Sequence, residues 1–103
     1  MSQVIKVAQK KDVPIGRGIQ VEANGKKMAL FYVDGKYYCI DDTCTHAGGS
    51  LSEGPLDGKV VVCPWHGAAF DITDGSVKEA PAEENVTSYP VVVEGEDIKI
   101  KLP

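Results

Sequence analysis

The sequence predicts an all-β domain made of antiparallel sheets. Three observations predict it: apolar and polar residues alternate along most segments, Gly-containing turn signals recur between them, and no segment holds a helical period for three turns. Residues 4–7 read as the first strand. Residues 19–22 and 27–33 flank Asn24-Gly25, a dipeptide that favours the left-handed backbone of a tight hairpin. Asp34-Gly35 then turns the chain into residues 36–40. Asp57-Gly58 precedes residues 60–63, and Asp74-Gly75 follows the short strand 70–72. The last hairpin joins residues 89–93 to residues 98–102 through a turn containing Gly95. The final strand alternates strictly, which predicts one wet face. Pro90 has no N–H for a ladder and is expected at an edge or a strand start. Residues 79–87 read as loop or a single helical turn. Residues 1–42 and 86–103 are expected to form a β-sandwich base, and about 43–85 a smaller subdomain.

A chain of 103 residues, 43% of them hydrophobic, fits one domain with a modest core. No apolar run approaches the roughly 20 residues of a membrane span. Residues 1–11 alternate in polarity and show no signal-peptide pattern. The net charge of −4 argues against a nucleic-acid partner. Charge is unevenly placed: residues 1–36 hold seven basic against three acidic residues, and residues 37–103 hold four against twelve. The acidic half either is ordinary solvated surface or steers the domain onto basic partners.

The chemistry is concentrated in two short motifs, Cys44-Thr45-His46 and Cys63-Pro64-Trp65-His66, separated by sixteen residues. The chain has only two histidines, and both lie in these motifs. In an extended C-x-H segment alternate side chains point the same way, so one loop can present a thiolate and an imidazole to one centre. The C-x-x-H segment must bend back, and Gly48, Gly49, Pro64 and Gly67 supply bends. Two Cys and two His suit a [2Fe–2S] centre in which His replaces Cys on one iron. Structural zinc competes, although zinc modules usually pair Cys with Cys and His with His in C-x(2–4)-C and H-x(3–5)-H spacing. A Cys44–Cys63 disulfide leaves both histidines unexplained. Cys39, between Tyr38 and Ile40, is expected to be a buried core thiol.

These motifs resemble the cluster loops of the Rieske family. Residues 44–49 look like its first loop, residues 63–71 like its second, and residues 78–82 like its Pro-containing cover, in which Pro81 shapes the loop. The resemblance runs over essentially the whole chain. It implies a Rieske fold holding one [2Fe–2S] cluster per chain, with Cys44 and Cys63 on the inner iron and His46 and His66 on the outer one. Rieske proteins of quinol-oxidising complexes have a disulfide between the loops, where this chain has Gly49 and Trp65. They also direct Ser and Tyr hydroxyls at cluster sulfur, where this chain has Ala68 and Phe70. Fewer donors to sulfur destabilise the reduced state, so the expected midpoint is at the low end of the range, roughly −150 mV.

The resemblance implies a low-potential Rieske-type ferredoxin; with neither a membrane span nor a signal-peptide pattern it is expected to be soluble and cytoplasmic, and as a mobile carrier to work as a monomer. Its expected partners are a flavin-dependent reductase and a terminal oxygenase, an aromatic ring-hydroxylating dioxygenase; membrane and nucleic acid are not among them. The chain is expected to be an electron-transfer component rather than an enzyme, because both histidines are used and none remains for a mononuclear iron site. The competing expectation is the small Rieske-like subunit of an assimilatory nitrite reductase. Trp65 either packs as a shield over the cluster or is partly exposed for docking, and partial exposure is the expectation. Asp71 and Glu53 are candidates for tuning the potential by like-charge repulsion, or are simply screened surface charges.

Overall fold

The computed structural model describes residues 3–43, 50–63, 68–79 and 85–102. Among these, eleven strands form three sheets, and every pair of neighbouring strands is antiparallel. The first sheet has the order β1-β11-β10, from Gln3–Gln9, Asp97–Leu102 and Val91–Glu94. The second has the order β2-β3-β4-β9, from Ile19–Ala23, Lys26–Val33, Lys36–Asp41 and Ser88–Tyr89. The third has the order β5-β6-β7-β8, from Leu56–Asp57, Val60–Val62, Ala69–Asp71 and Val77–Glu79. Among the described residues no helix is long and apolar enough to cross a membrane.

The second sheet is the middle layer, and β3 shows why. Its run Met28-Ala29-Leu30-Phe31 is fully buried. Successive side chains of a strand point to opposite faces. Met28 and Leu30 therefore join one core with Cys39, Ile98, Ile100 and Leu102, shared with the first sheet. Ala29 and Phe31 join the other core with Ile40, Val61, Phe70 and Ile72, shared with the third sheet. A continuous apolar run is the signature of a strand covered on both faces. Full burial of each large side chain contributes about 1.5–3 kcal/mol, so two cores on one sheet hold three layers together.

Turn chemistry sets the registers. Asn24 and Asp34 have φ of 52° and 53°, and the glycines after them 77° and 78°, so both hairpins need the left-handed backbone that Asn-Gly and Asp-Gly tolerate. The resulting pairs run Ala23↔Lys26 to Ile19↔Leu30, and Val33↔Lys36 to Met28↔Asp41.

The expected strand over 89–93 is split. Ser88–Tyr89 pairs with β4 in the middle sheet, while Val91–Glu94 pairs with β11 in the first. Pro90 sits at the break, where the chain changes sheets; it has no N–H to donate, and its carbonyl accepts from Lys101 N at 3.0 Å. The strand β8 went unforeseen because three residues with one apolar side chain carry no readable period. Two single 3-10 turns, Lys10–Asp12 and Leu51–Glu53, are likewise too short to read from the sequence.

Candidate metal centre

The first motif loop leaves just past the end of β4 in the middle sheet, and the second leaves from β6 in the third. Strand β6 runs through Val62 into Cys63, and β7 begins at Ala69. Val62 pairs with Ala69, and Cys63 N donates to Ala68 O at 2.6 Å. The Cys63–Ala68 pair is thus the neck at which the second motif leaves the β6-β7 ladder. The first loop is closed in the same manner. Thr43 and Ser50 form an antiparallel bridge, and Leu51 N donates to Asp42 O at 2.6 Å. Thr43 and Ser50, the described residues on either side of the first motif, are therefore paired as a neck. The feet of both loops meet in one core: Leu51, Cys63 and Ala68 belong to the cluster around Phe31 and Phe70.

Of the four predicted ligands, Cys63 is described, and it is 1% exposed. Cys44, His46 and His66 lie outside the described residues, as do Gly48, Gly49, Pro64, Trp65, Gly67 and Pro81. The structure thus places the necks of both loops and one thiol. That thiol fits an iron–sulfur centre: it is withdrawn from solvent at a loop neck, and its neighbours Ala68, Ala69 and Phe70 are buried apolar residues. Soft thiolates with imidazoles are the donor set such a centre takes. Ala68 and Phe70, both fully buried, bring no hydroxyl to this neck.

Sequence reasoning missed Asp42. It is 2% exposed on the face of the middle sheet that also carries Ile40. Its carboxylate accepts from Gln20 Nε2 at 2.6 Å, Ser50 Oγ at 2.5 Å and Ser52 N at 2.7 Å. Burial pushes this carboxyl upward, but the hydrogen bonds from Ser50, Gln20 and Ser52 outweigh burial and hold it below the usual range. The signal was present: an acid two residues past Ile40 lies at an inward position of an alternating strand. By contrast Glu53 is exposed. Asp71 is bound within its own turn, accepting from Thr73 N at 2.8 Å and facing Lys78 Nζ at 4.0 Å.

The adjacent Asp41 ties β4 to β9. It accepts from Tyr89 Oη at 2.5 Å and Thr87 N at 3.2 Å. Burial, and then the bond to Asp41, raise the Tyr89 hydroxyl well above its ordinary value. Cys39 is buried in the other core, as expected, and burial pushes its thiol up to about 12.

Residues 3–90 match the family model of the Rieske [2Fe-2S] domain. The chain is 44% identical over 93 residues to the 3-phenylpropionate/cinnamic acid dioxygenase ferredoxin subunit of Shigella boydii, covering 89% of this chain and 87% of that protein. Among solved structures it superposes on the Sphingomonas yanoikuyae B1 ferredoxin with a TM-score of 0.92 and 31% identity, covering 98% of this chain and all of that one. It also matches a chain in the complex of reduced oxygenase and oxidized ferredoxin of carbazole 1,9a-dioxygenase, with a TM-score of 0.87 and 34% identity over 94% of this chain and 91% of that one. A nitrite reductase small subunit from Mycobacterium tuberculosis, 23% identical with a TM-score of 0.89 over all of this chain and 97% of that one, shares the fold. The chain belongs to the Rieske [2Fe–2S] domain family, and its cofactor is one [2Fe–2S] cluster.

Proposed function

We propose that this chain is a low-potential Rieske-type ferredoxin. It takes single electrons from a flavin-dependent reductase and hands them to a terminal oxygenase, an aromatic ring-hydroxylating dioxygenase. The observation that carries this reading is the 44% identity to a dioxygenase ferredoxin subunit along nearly the whole of both chains. Cys44, His46, Cys63 and His66 hold the cluster. The chain transfers electrons and catalyses no substrate reaction, since both of its histidines are spent on the cluster and none remains for a mononuclear iron site. It works as a cytoplasmic monomer, with neither membrane nor nucleic acid as partner. The nitrite reductase alternative draws on a likeness at 23% identity, which speaks to fold alone.

When bound, the cluster stores and releases one electron. The protein's part is to set how readily it does so. Cys63 is kept dry at its neck, and a thiolate in a dry site binds iron without competition from water. The side chains of Ala68 and Phe70 carry no hydrogen-bond donor, which leaves added negative charge less stabilised and keeps the potential low.

A redox titration of the purified protein, followed by absorbance and low-temperature EPR from pH 6 to 10, tests this. The expected result is a rhombic Rieske-type signal with a midpoint of roughly −150 mV, flat around neutrality. His66→Ala and Cys63→Ala are each expected to abolish the signal. A midpoint above zero that falls with pH near neutrality refutes the low-potential reading. Co-purification with a large sirohaem protein, and no reduction by a flavin-dependent dioxygenase reductase, refutes the oxygenase assignment.

A further inference from the structure

Just past the end of β4, where the chain heads into the first ligand loop, lies a buried acid. Asp42 lies two residues before Cys44, and covalent geometry keeps the two Cα atoms within about 7 Å. Its carboxylate joins three parts of the chain. Gln20 reaches it from β2, while Ser50 and Ser52 reach it from the segment that returns from the loop. The backbone repeats the closure, through Leu51 N to Asp42 O at 2.6 Å and Asp42 N to Lys27 O at 3.2 Å. Ser50 Oγ also meets Ser52 Oγ at 3.1 Å, so the returning segment is held by a connected set of polar groups.

Such a group is expensive to keep indoors. A buried carboxylate is tolerated when it is hydrogen-bonded or paired. Among the described residues no ion pair involves Asp42, and its carboxylate is held by the donors from Gln20, Ser50 and Ser52. An amide or a hydroxyl at this place can serve a hydrogen-bonded turn without the desolvation of a charge. What the acid adds is a fixed negative charge in a water-poor interior beside the loop neck, where screening is weak. A cluster that gains an electron becomes more negative, so a nearby fixed anion disfavours reduction.

We propose that Asp42 is the positioning residue of the first ligand loop and a fixed charge that lowers the reduction potential of the centre. The inference rests on the ligand set proposed above. It assigns Asp42 two separable effects. As a clamp it holds the neck through which residues 44–49 leave and return, and so slows the loss of iron. As a charge it favours the oxidised state.

Asp42→Asn separates the two effects. Asn is nearly isosteric and keeps an acceptor for Ser52 N, and a rotated Gln20 amide can accept from it, so the clamp is partly kept while the charge is lost. Ser50→Ala keeps the charge and removes one strand of the clamp. Both are compared with wild-type holoprotein in two assays: the rate of iron release from the oxidised protein to a ferrous chelator with reductant added after quench, and the EPR-monitored midpoint. For Asp42→Asn the expected result is about a tenfold shift of the reduction equilibrium toward the reduced state, read as a rise of about 59 mV for a one-electron couple. For Ser50→Ala it is an iron release several-fold faster, with a much smaller change of midpoint. An Asp42→Asn midpoint indistinguishable from wild type overturns the charge assignment, and a Ser50→Ala release rate equal to wild type overturns the clamp. If Asp42→Asn yields no folded holoprotein, Gln20→Met replaces it. Gln20→Met removes a donor from a retained charge, so its midpoint is expected to fall and its iron release to quicken; no change in either refutes the proposal. A wild-type protein without a Rieske-type signal defeats the proposed function instead, and the two failures are thereby distinct.

Discussion

Gly54 is where the third layer has no room for a side chain. It follows the 3-10 turn Leu51–Glu53, with φ of −79° and ψ of 156°, a conformation any residue adopts. The restriction is steric. A Cβ built on Gly54 meets Val62 O at 1.8 Å and Leu51 O at 3.4 Å. Contacts under 3.0 Å are essentially never made by real Cβ atoms, so the two backbones must part by more than an ångström. No flexible side chain can absorb that movement. Val62 is held on one side by its pairing with Ala69 and on the other by Val62 N donating to Pro55 O at 2.9 Å. Overpacking of this kind costs about 1–3 kcal/mol, and a broken backbone bond adds about 1 kcal/mol. Gly54→Ala is therefore expected to lose about 2–4 kcal/mol, on the order of 10–20 °C in apparent melting temperature for a domain of this size. Val62 directly precedes Cys63, so the same shift moves a proposed ligand, and iron content should fall with stability. The control is Gly58→Ala. Gly58 has φ of 62° and nothing within 4 Å of its Cβ position, which leaves only the left-handed backbone penalty of about 1–2 kcal/mol. Melting scans of both holoproteins at one scan rate, with iron assay before heating, decide the matter. If Gly54→Ala melts no lower than Gly58→Ala and keeps its iron, the steric reasoning fails.

Three further outcomes are expected. Ala68→Ser places a hydroxyl at the Cys63 neck and should raise the midpoint; a hydrogen bond worth about 1 kcal/mol more in the reduced state corresponds to about 40 mV, and an unchanged potential would show that Ala68 does not face the centre. Cys39 should resist iodoacetamide at pH 8 until the protein unfolds, since burial pushes its thiol up to about 12. The sign follows from the same shift: the unfolded thiol loses its proton near its ordinary value of 9.0 while the folded one keeps it, so stability falls as pH rises from about 9 to about 12. That fall approaches about 1.4 kcal/mol per pH unit for this group, and Cys39→Ala should flatten it; an identical alkaline profile in the variant refutes the assignment. Tyr89→Phe removes the bond to Asp41 at 2.5 Å and should cost about 1–3 kcal/mol by urea denaturation, because a carboxylate acceptor loses a charge-assisted partner; a change below about 0.5 kcal/mol contradicts that.

Much of this protein was legible in one dimension because its signals are local. A strand period of two, Asn-Gly and Asp-Gly turns, and donor types at short spacing are properties of neighbouring residues. They determined the all-β class, the two central hairpins, the burial of Cys39 and the Rieske resemblance of residues 44–49 and 63–71. Tertiary structure decided what depends on contacts between distant segments. The run Met28-Ala29-Leu30-Phe31 is compatible with one buried face or two, and only the sheets packed on either side make β3 a middle strand. Pro90 announces a break, but the change of sheet there depends on β4 and β11 being on hand to pair. Asp42 reads as one acid among fifteen until Gln20, twenty-two residues away in sequence, and Ser50 and Ser52 converge on it. The cost of burying a charge depends on everything around it, and a sequence does not state its surroundings.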